Sequence, residues 1–234
     1  PLSPRIEVAK QVLKHARAGQ LLSVAPILEG EGEFLEFLAP ADSRGEHEAI
    51  VAALIESGAD VLLGAGERYF RPEGVAGVHG PGVRTDGRDL IAEARDRGYT
   101  VIFTREQLLD LPADTTRVLG LFAHGHTFNA RPEETLRAAG RPRWVPGTPT
   151  VAEMTDAALR ILARGERRFL LVVEEEATDN FGNANNAAGV LEALGRADEA
   201  IGVARRLLAE RPDTLIVTCA DSDAGGLRMR GLAM

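Results

Sequence analysis

Short apolar runs rich in β-branched residues recur along the chain, separated by stretches with helical spacing, and this alternation constrains the fold more than any other feature. Ala59-Asp60-Val61-Leu62-Leu63 ends at Gly64-Ala65-Gly66, and Tyr99 to Thr104 follows Gly98. Val118 to Phe122, Arg168 to Glu174 and Thr214 to Ala220 continue the series, with Leu21 to Leu28 ahead of it. These runs do not alternate apolar with polar residues, as expected of strands buried on both faces. Ile6, Val8, Ala9, Val12 and Leu13 recur at helical spacing within residues 4–18, and Ile50, Val51, Leu54 and Ile55 do so before Gly58. Further helices are expected over 87–97, 105–111, 150–163 and 186–210, with Thr150 as an N-cap. Strands separated by helices of about 10–15 residues pair in parallel and carry helices on both faces. The prediction is an α/β fold, a three-layer αβα sandwich.

The 234 residues are read as a single domain, 1–234, with irregular excursions near 67–85 and 123–149. The second holds Pro132, Pro142, Pro146 and Pro149. Hydrophobic residues at 44% and charged residues at 26% exclude a disordered tail, a collagen-like fibre and a coiled coil. No apolar run approaches the 18 or more residues of a membrane span. A formal charge of −8 argues against nucleic-acid binding, which needs a basic face. It leaves room for a small phosphorylated substrate, because metal ions can supply positive charge. The lone cysteine, Cys219, excludes an internal disulfide and reads as a buried core residue of the last strand. The chain begins at Pro1 without a signal peptide and ends at Met234 shortly after a Gly-rich stretch, so it is expected to be the middle of a larger protein.

Ligands of open parallel sheets bind beyond the carboxyl ends of the strands. Glu174, Glu175, Glu176, Thr178, Asp179, Asn180, Asn183, Asn185 and Asn186 follow one strand run. Asp221, Ser222 and Asp223 follow the last, and Glu29, Glu31 and Glu33 follow the first. If these strands are neighbours, several carboxylates converge, and a divalent cation relieves their repulsion. Oxygen-only ligands favour magnesium, calcium or manganese. The plainer reading is that such residues cap helices and form turns, and Glu175 and Glu176 individually fit it. Gly64-Ala65-Gly66 fails as a dinucleotide fingerprint, because the third glycine position is Tyr69, and reads as a tight turn. His124-Gly125-His126 reads as loop, Trp144 as a packing anchor, and Gly189 as a kink or a point of close packing.

Several segments together resemble the alkaline phosphatase family. They are Gly147-Thr148-Pro149-Thr150-Val151-Ala152-Glu153-Met154-Thr155, Phe169 to Asn186 (FLLVVEEEATDNFGNANN), Thr214 to Gly226 (TLIVTCADSDAGG), Gly58 to Gly66, Gly98 to Val101 and Arg117 to Phe122. They occur in order over nearly the whole chain. The resemblance implies an alkaline-phosphatase-like sandwich, incomplete at both ends, and a metal-dependent phosphomonoesterase acting on small phosphate esters. It implies magnesium and zinc as cofactors, a homodimer, and a periplasmic or secreted location. Glu174 resembles the magnesium carboxylate, Asp179 the aspartate on one zinc and Asp221 the aspartate on the other. Arg44 resembles the arginine that grips the substrate phosphate, a task suited to its forked guanidinium.

The departures are specific. Asn183 and Ser222 stand where the family has zinc-binding histidines, and Glu31 and Glu33 align with an acid-and-threonine pair upstream of the arginine. An amide and a hydroxyl are weaker zinc ligands than imidazole, so calcium or manganese joins magnesium among the expected ions. By the resemblance, the serine nucleophile lies before this chain and the last zinc histidine after it. The alternatives are a non-catalytic metal- or phosphate-binding remnant, or another ester hydrolase of the phosphatase–sulfatase superfamily.

Overall fold

The computed structural model describes residues 21–27, 32–37, 44–164 and 168–220. Its elements are β1 (Leu21–Ile27), β2 (Gly32–Phe37), α1 (Arg44–Ser57), β3 (Val61–Gly64), a 3-10 turn (Glu67–Phe70), α2 (Leu90–Asp96), β4 (Thr100–Ile102), α3 (Arg105–Leu109), β5 (Val118–Leu121), α4 (Glu133–Ala138), α5 (Val151–Leu162), α6 (Ala177–Asn183) and α7 (Ala187–Glu210). The helix expected over 4–18 lies outside the described residues.

The central sheet is parallel, in the order β3-β5-β4. Val61 pairs with Val118 and Gly64 with Leu121, while Thr100 takes the other side of Val118. Successive side chains leave a strand on opposite faces, and here both faces are buried. Leu62, Val101, Leu119 and Leu121 pack with Ala52 and Ile55 of α1 and Leu90, Ile91 and Ala94 of α2. Val61, Leu63, Ile102 and Val118 pack with Leu108 of α3 and Ala157 and Ile161 of α5. That is helix, sheet, helix: the three-layer arrangement. Burying one such aliphatic side chain contributes about 1.5–3 kcal/mol, so β5, buried along its whole length, anchors the sheet.

The helix starts follow from local chemistry. Asp89 Oδ1 accepts from the N–H groups of Ile91 and Ala92. Thr104 with Gln107, and Thr150 with Glu153, form reciprocal capping boxes. Gly58 ends the turn after α1 at a φ of 73°, a left-handed conformation that glycine adopts without strain.

Three expectations are corrected. The run Leu21 to Leu28 is a strand, but it pairs antiparallel with β2 in a separate two-stranded sheet. The runs 168–174 and 214–220 are not strands. A strand needs a neighbour to satisfy its N–H and C=O groups, and no described strand pairs with either run. Leu170 and Val172 are 80% and 81% exposed, and Leu215 and Val217 are 84% and 74% exposed. Cys219, expected in the core, is exposed for the same reason. Two short helices, α4 and α6, appear where only irregular chain was expected.

Candidate functional site

The segments that leave the carboxyl ends of β3, β4 and β5 are locked together by a small set of polar contacts. Gly66 turns the chain at a φ of 87°. The N–H groups of Gly66 and Glu67 both donate to Ala123 O, at 3.0 and 3.1 Å, and that of Arg68 to His124 O at 3.3 Å. The segment after β3 is thereby joined to the segment after β5. Glu67 is fully buried. Its carboxylate accepts from Val78 N at 3.0 Å, His79 N at 2.7 Å and Arg71 Nε at 2.9 Å. Burial alone would raise its pKa, but the His79 N–H, the Arg71 guanidinium and the Val78 N–H outweigh it and hold the carboxyl below its ordinary value. Gly77 is required beside it, because a Cβ there would lie 2.6 Å from Glu67 Oε1.

Pinned in this way, the excursion 67–85 folds back over the sheet. His79 Nε2 lies 3.0 Å from both Phe103 O and Leu121 O, at the ends of β4 and β5. His124 Nε2 lies 3.0 Å from Pro81 O. Arg84, also fully buried, donates to Asp86, to Glu48 O at 3.1 Å and to Tyr69 O at 3.0 Å. Glu48 in turn accepts from Thr85 N at 2.8 Å. None of Glu67, His79 or Arg84 was singled out as a candidate from sequence. A carboxylate directly after the glycine-rich end of a strand was the available signal for Glu67.

The second region is α6 with the residues before it. Phe128, from the segment after β5, packs against Phe181 of α6 and Trp144, with centroid separations of 5.7 and 5.9 Å. Arg196 of α7 lies over the Trp144 ring at 3.5 Å from its centroid. Trp144 is thus a packing anchor. His126 Nδ1 approaches Glu176 Oε2 at 3.8 Å. Glu175 is half-buried; burial raises its pKa, opposed by the Ala177 N–H and by Arg196.

The structure brings together some of the expected site residues. Asp179 and Asn183 lie one turn apart on α6, and Asn183 Nδ2 donates to Asp179 Oδ2 at 3.0 Å. Glu174 is exposed in the irregular segment before α6. Arg44 is the first residue of α1, and Glu33 lies in β2, paired with Pro26; their side chains are outside the described set. Asp221 and Ser222 lie outside the described residues. Among the described residues, no group of three or more His, Cys, Asp or Glu side chains is placed to hold a metal ion. The Asn183 amide takes Asp179 Oδ2 and leaves Oδ1 without a hydrogen bond among the described residues, so Asp179 can ligate an ion through that oxygen.

The chain matches the family "Alkaline phosphatase" over residues 35–234. It is 34% identical over 172 residues to a membrane-bound alkaline phosphatase of Bombyx mori, covering 69% of this chain and 29% of that protein. It is 27% identical over 191 residues to the alkaline phosphatase of Escherichia coli, covering 76% and 39%. The crystal structure of Thermus thermophilus alkaline phosphatase is similar with a TM-score of 0.56 at 34% identity, covering 75% of this chain and 33% of that one. A cold-active alkaline phosphatase from a Shewanella species gives a TM-score of 0.53 at 27% identity, covering 73% and 35%. The chain spans about a third of the length of the curated relatives it matches.

Proposed function

Since the chain belongs to the alkaline phosphatase family, we propose that its chemistry is the hydrolysis of phosphate monoesters. The observation that carries the reading is the match over residues 35–234, the stretch in which Arg44, Glu174, Asp179 and Asp221 lie. In this reading the Arg44 guanidinium grips two oxygens of the substrate phosphate and fixes its orientation. Glu174, Asp179, Asn183, Asp221, Ser222 and Glu33 would hold divalent ions, whose chemistry is to neutralise charge on the attacking and leaving oxygens. The donors are all oxygens, which suits magnesium, calcium or manganese better than zinc. The substrate is a small phosphate ester, the assembly a homodimer, and the location periplasmic or secreted. No described helix is long and apolar enough to cross a membrane.

The test is turnover of a chromogenic phosphomonoester by the full gene product, with and without chelator, beside the Asp221→Ala variant. Loss of turnover in the variant is the expected result. Equal turnover in both proteins sinks the reading.

A second reading is a non-catalytic metal- or phosphate-binding protein of the same family. Asn183 and Ser222, standing where the family has zinc-binding histidines, favour it, because an amide and a hydroxyl are weaker zinc ligands than imidazole. Calorimetric binding of magnesium without turnover by the full gene product distinguishes it from the first.

A further inference from the structure

We propose that Arg68 and Tyr69, at the carboxyl ends of β3 and β5, form a binding site for a phosphate group. Arg68 Nη2 donates to Tyr69 Oη at 2.6 Å. A guanidinium has only donors, so the phenol oxygen must be the acceptor. The Tyr69 hydroxyl proton therefore points elsewhere, and no described residue accepts it. Arg68 forms no ion pair among the described residues. Among the described residues its buried Nε has no acceptor, and its Nη1 has none either. By contrast, nearby Arg71, Arg84 and Arg88 each pair with a carboxylate.

The Arg68 guanidinium also lies 4.6 Å from the Tyr69 ring centroid, and among the described residues two donors, Arg68 Nη1 and the Tyr69 hydroxyl, are left without acceptors, a pair complementary to an oxyanion. Its geometry is fixed. The Tyr69 ring stacks on His47 with centroids 5.0 Å apart and planes 9° apart. The Arg68 backbone is tied to His124 O at 3.3 Å. Gly125 lies beside the guanidinium, where a Cβ would stand at an ordinary contact distance of 3.8 Å from Arg68 Cζ. The position also matches the usual location of ligands in parallel sheets, beyond the strand ends. A tetrahedral phosphate can span Arg68 Nη1 and Tyr69 Oη together. The inference stands on this geometry and does not rest on the hydrolytic reading.

The experiment follows the Arg68 Nε–H and Gly125 N–H resonances by NMR in the full chain. Inorganic phosphate is titrated in one arm and phenylphosphonate, a non-hydrolysable ester mimic, in the other. Saturable shifts at both resonances are expected in at least one arm, and the tighter arm identifies free phosphate or a phosphate ester as the source. Tyr69→Phe, which keeps the stack on His47, weakens binding about tenfold, and Arg68→Gln abolishes it. Arg44→Gln leaves these shifts in place, which separates this site from the proposed substrate arginine. Unsaturable or absent shifts in both arms overturn the inference. So do equal affinities of the wild type and Tyr69→Phe in a folded variant.

Discussion

The Phe181 ring lies directly against the backbone of Gly189: a Cβ built at that glycine would come within 2.4 Å of Phe181 Cγ. Phe181 is fully buried among Phe128, Ala177 and Ala193, so the ring cannot withdraw. Gly189→Ala is expected to destabilise the fold by about 1–3 kcal/mol through overpacking, although alanine is favoured over glycine in a helix by about 1 kcal/mol. Urea denaturation measures the difference. A stabilised variant would show that α6 and α7 can separate freely.

Glu67→Gln replaces a carboxylate that accepts from three donors with an amide that must turn N–H groups toward one of them. A loss of about 1–3 kcal/mol is expected at neutral pH. The folded carboxyl lies below its ordinary value of 4.5, so its contribution is present above that pH and is lost as pH falls through the lower folded value. The gap between wild type and variant should therefore close in acid. Denaturation curves at a series of pH values check this, and a gap that widens below pH 4.5 contradicts it.

Thr150→Ala removes the side-chain acceptor of the Glu153 N–H at the start of α5. The expected cost is about 1 kcal/mol, because α5 supplies Ala157 and Ile161 to one face of the sheet. An unchanged unfolding midpoint would mean that packing alone starts this helix.

The paired substitution Leu170→Thr with Val172→Thr should leave the stability of this chain within about 0.5 kcal/mol of wild type. Both side chains are exposed, so neither loses burial. A fall of several kcal/mol would place these residues in a packed layer in solution.

The parallel core was legible because its signals are local. Val61–Gly64, Thr100–Ile102 and Val118–Leu121 are short buried runs bounded by glycine or by capping residues, and Thr150 announced α5. The runs at 168–174 and 214–220 carry the same signal, but a strand exists only by pairing, and pairing is not local. Asp179 and Asn183 were named from the resemblance alone, and their proximity was not legible, because the helix that sets them one turn apart was not expected. Glu67, Arg84 and His79 were not, because the contacts that bury them join residues far apart in sequence. Glu67 bonds to Val78 and His79, and Arg84 bonds to Glu48 O.

The two oxygens facing His79 Nε2 are backbone carbonyls, which can only accept, so Nε2 is the donor to both. One N–H thus closes the seam between β4 and β5 from above, like a keystone between two wall ends. The ends of β4 and β5 are therefore held together by a side chain that belongs to neither strand, and Phe103 and Leu121 cannot draw apart without breaking one of these hydrogen bonds.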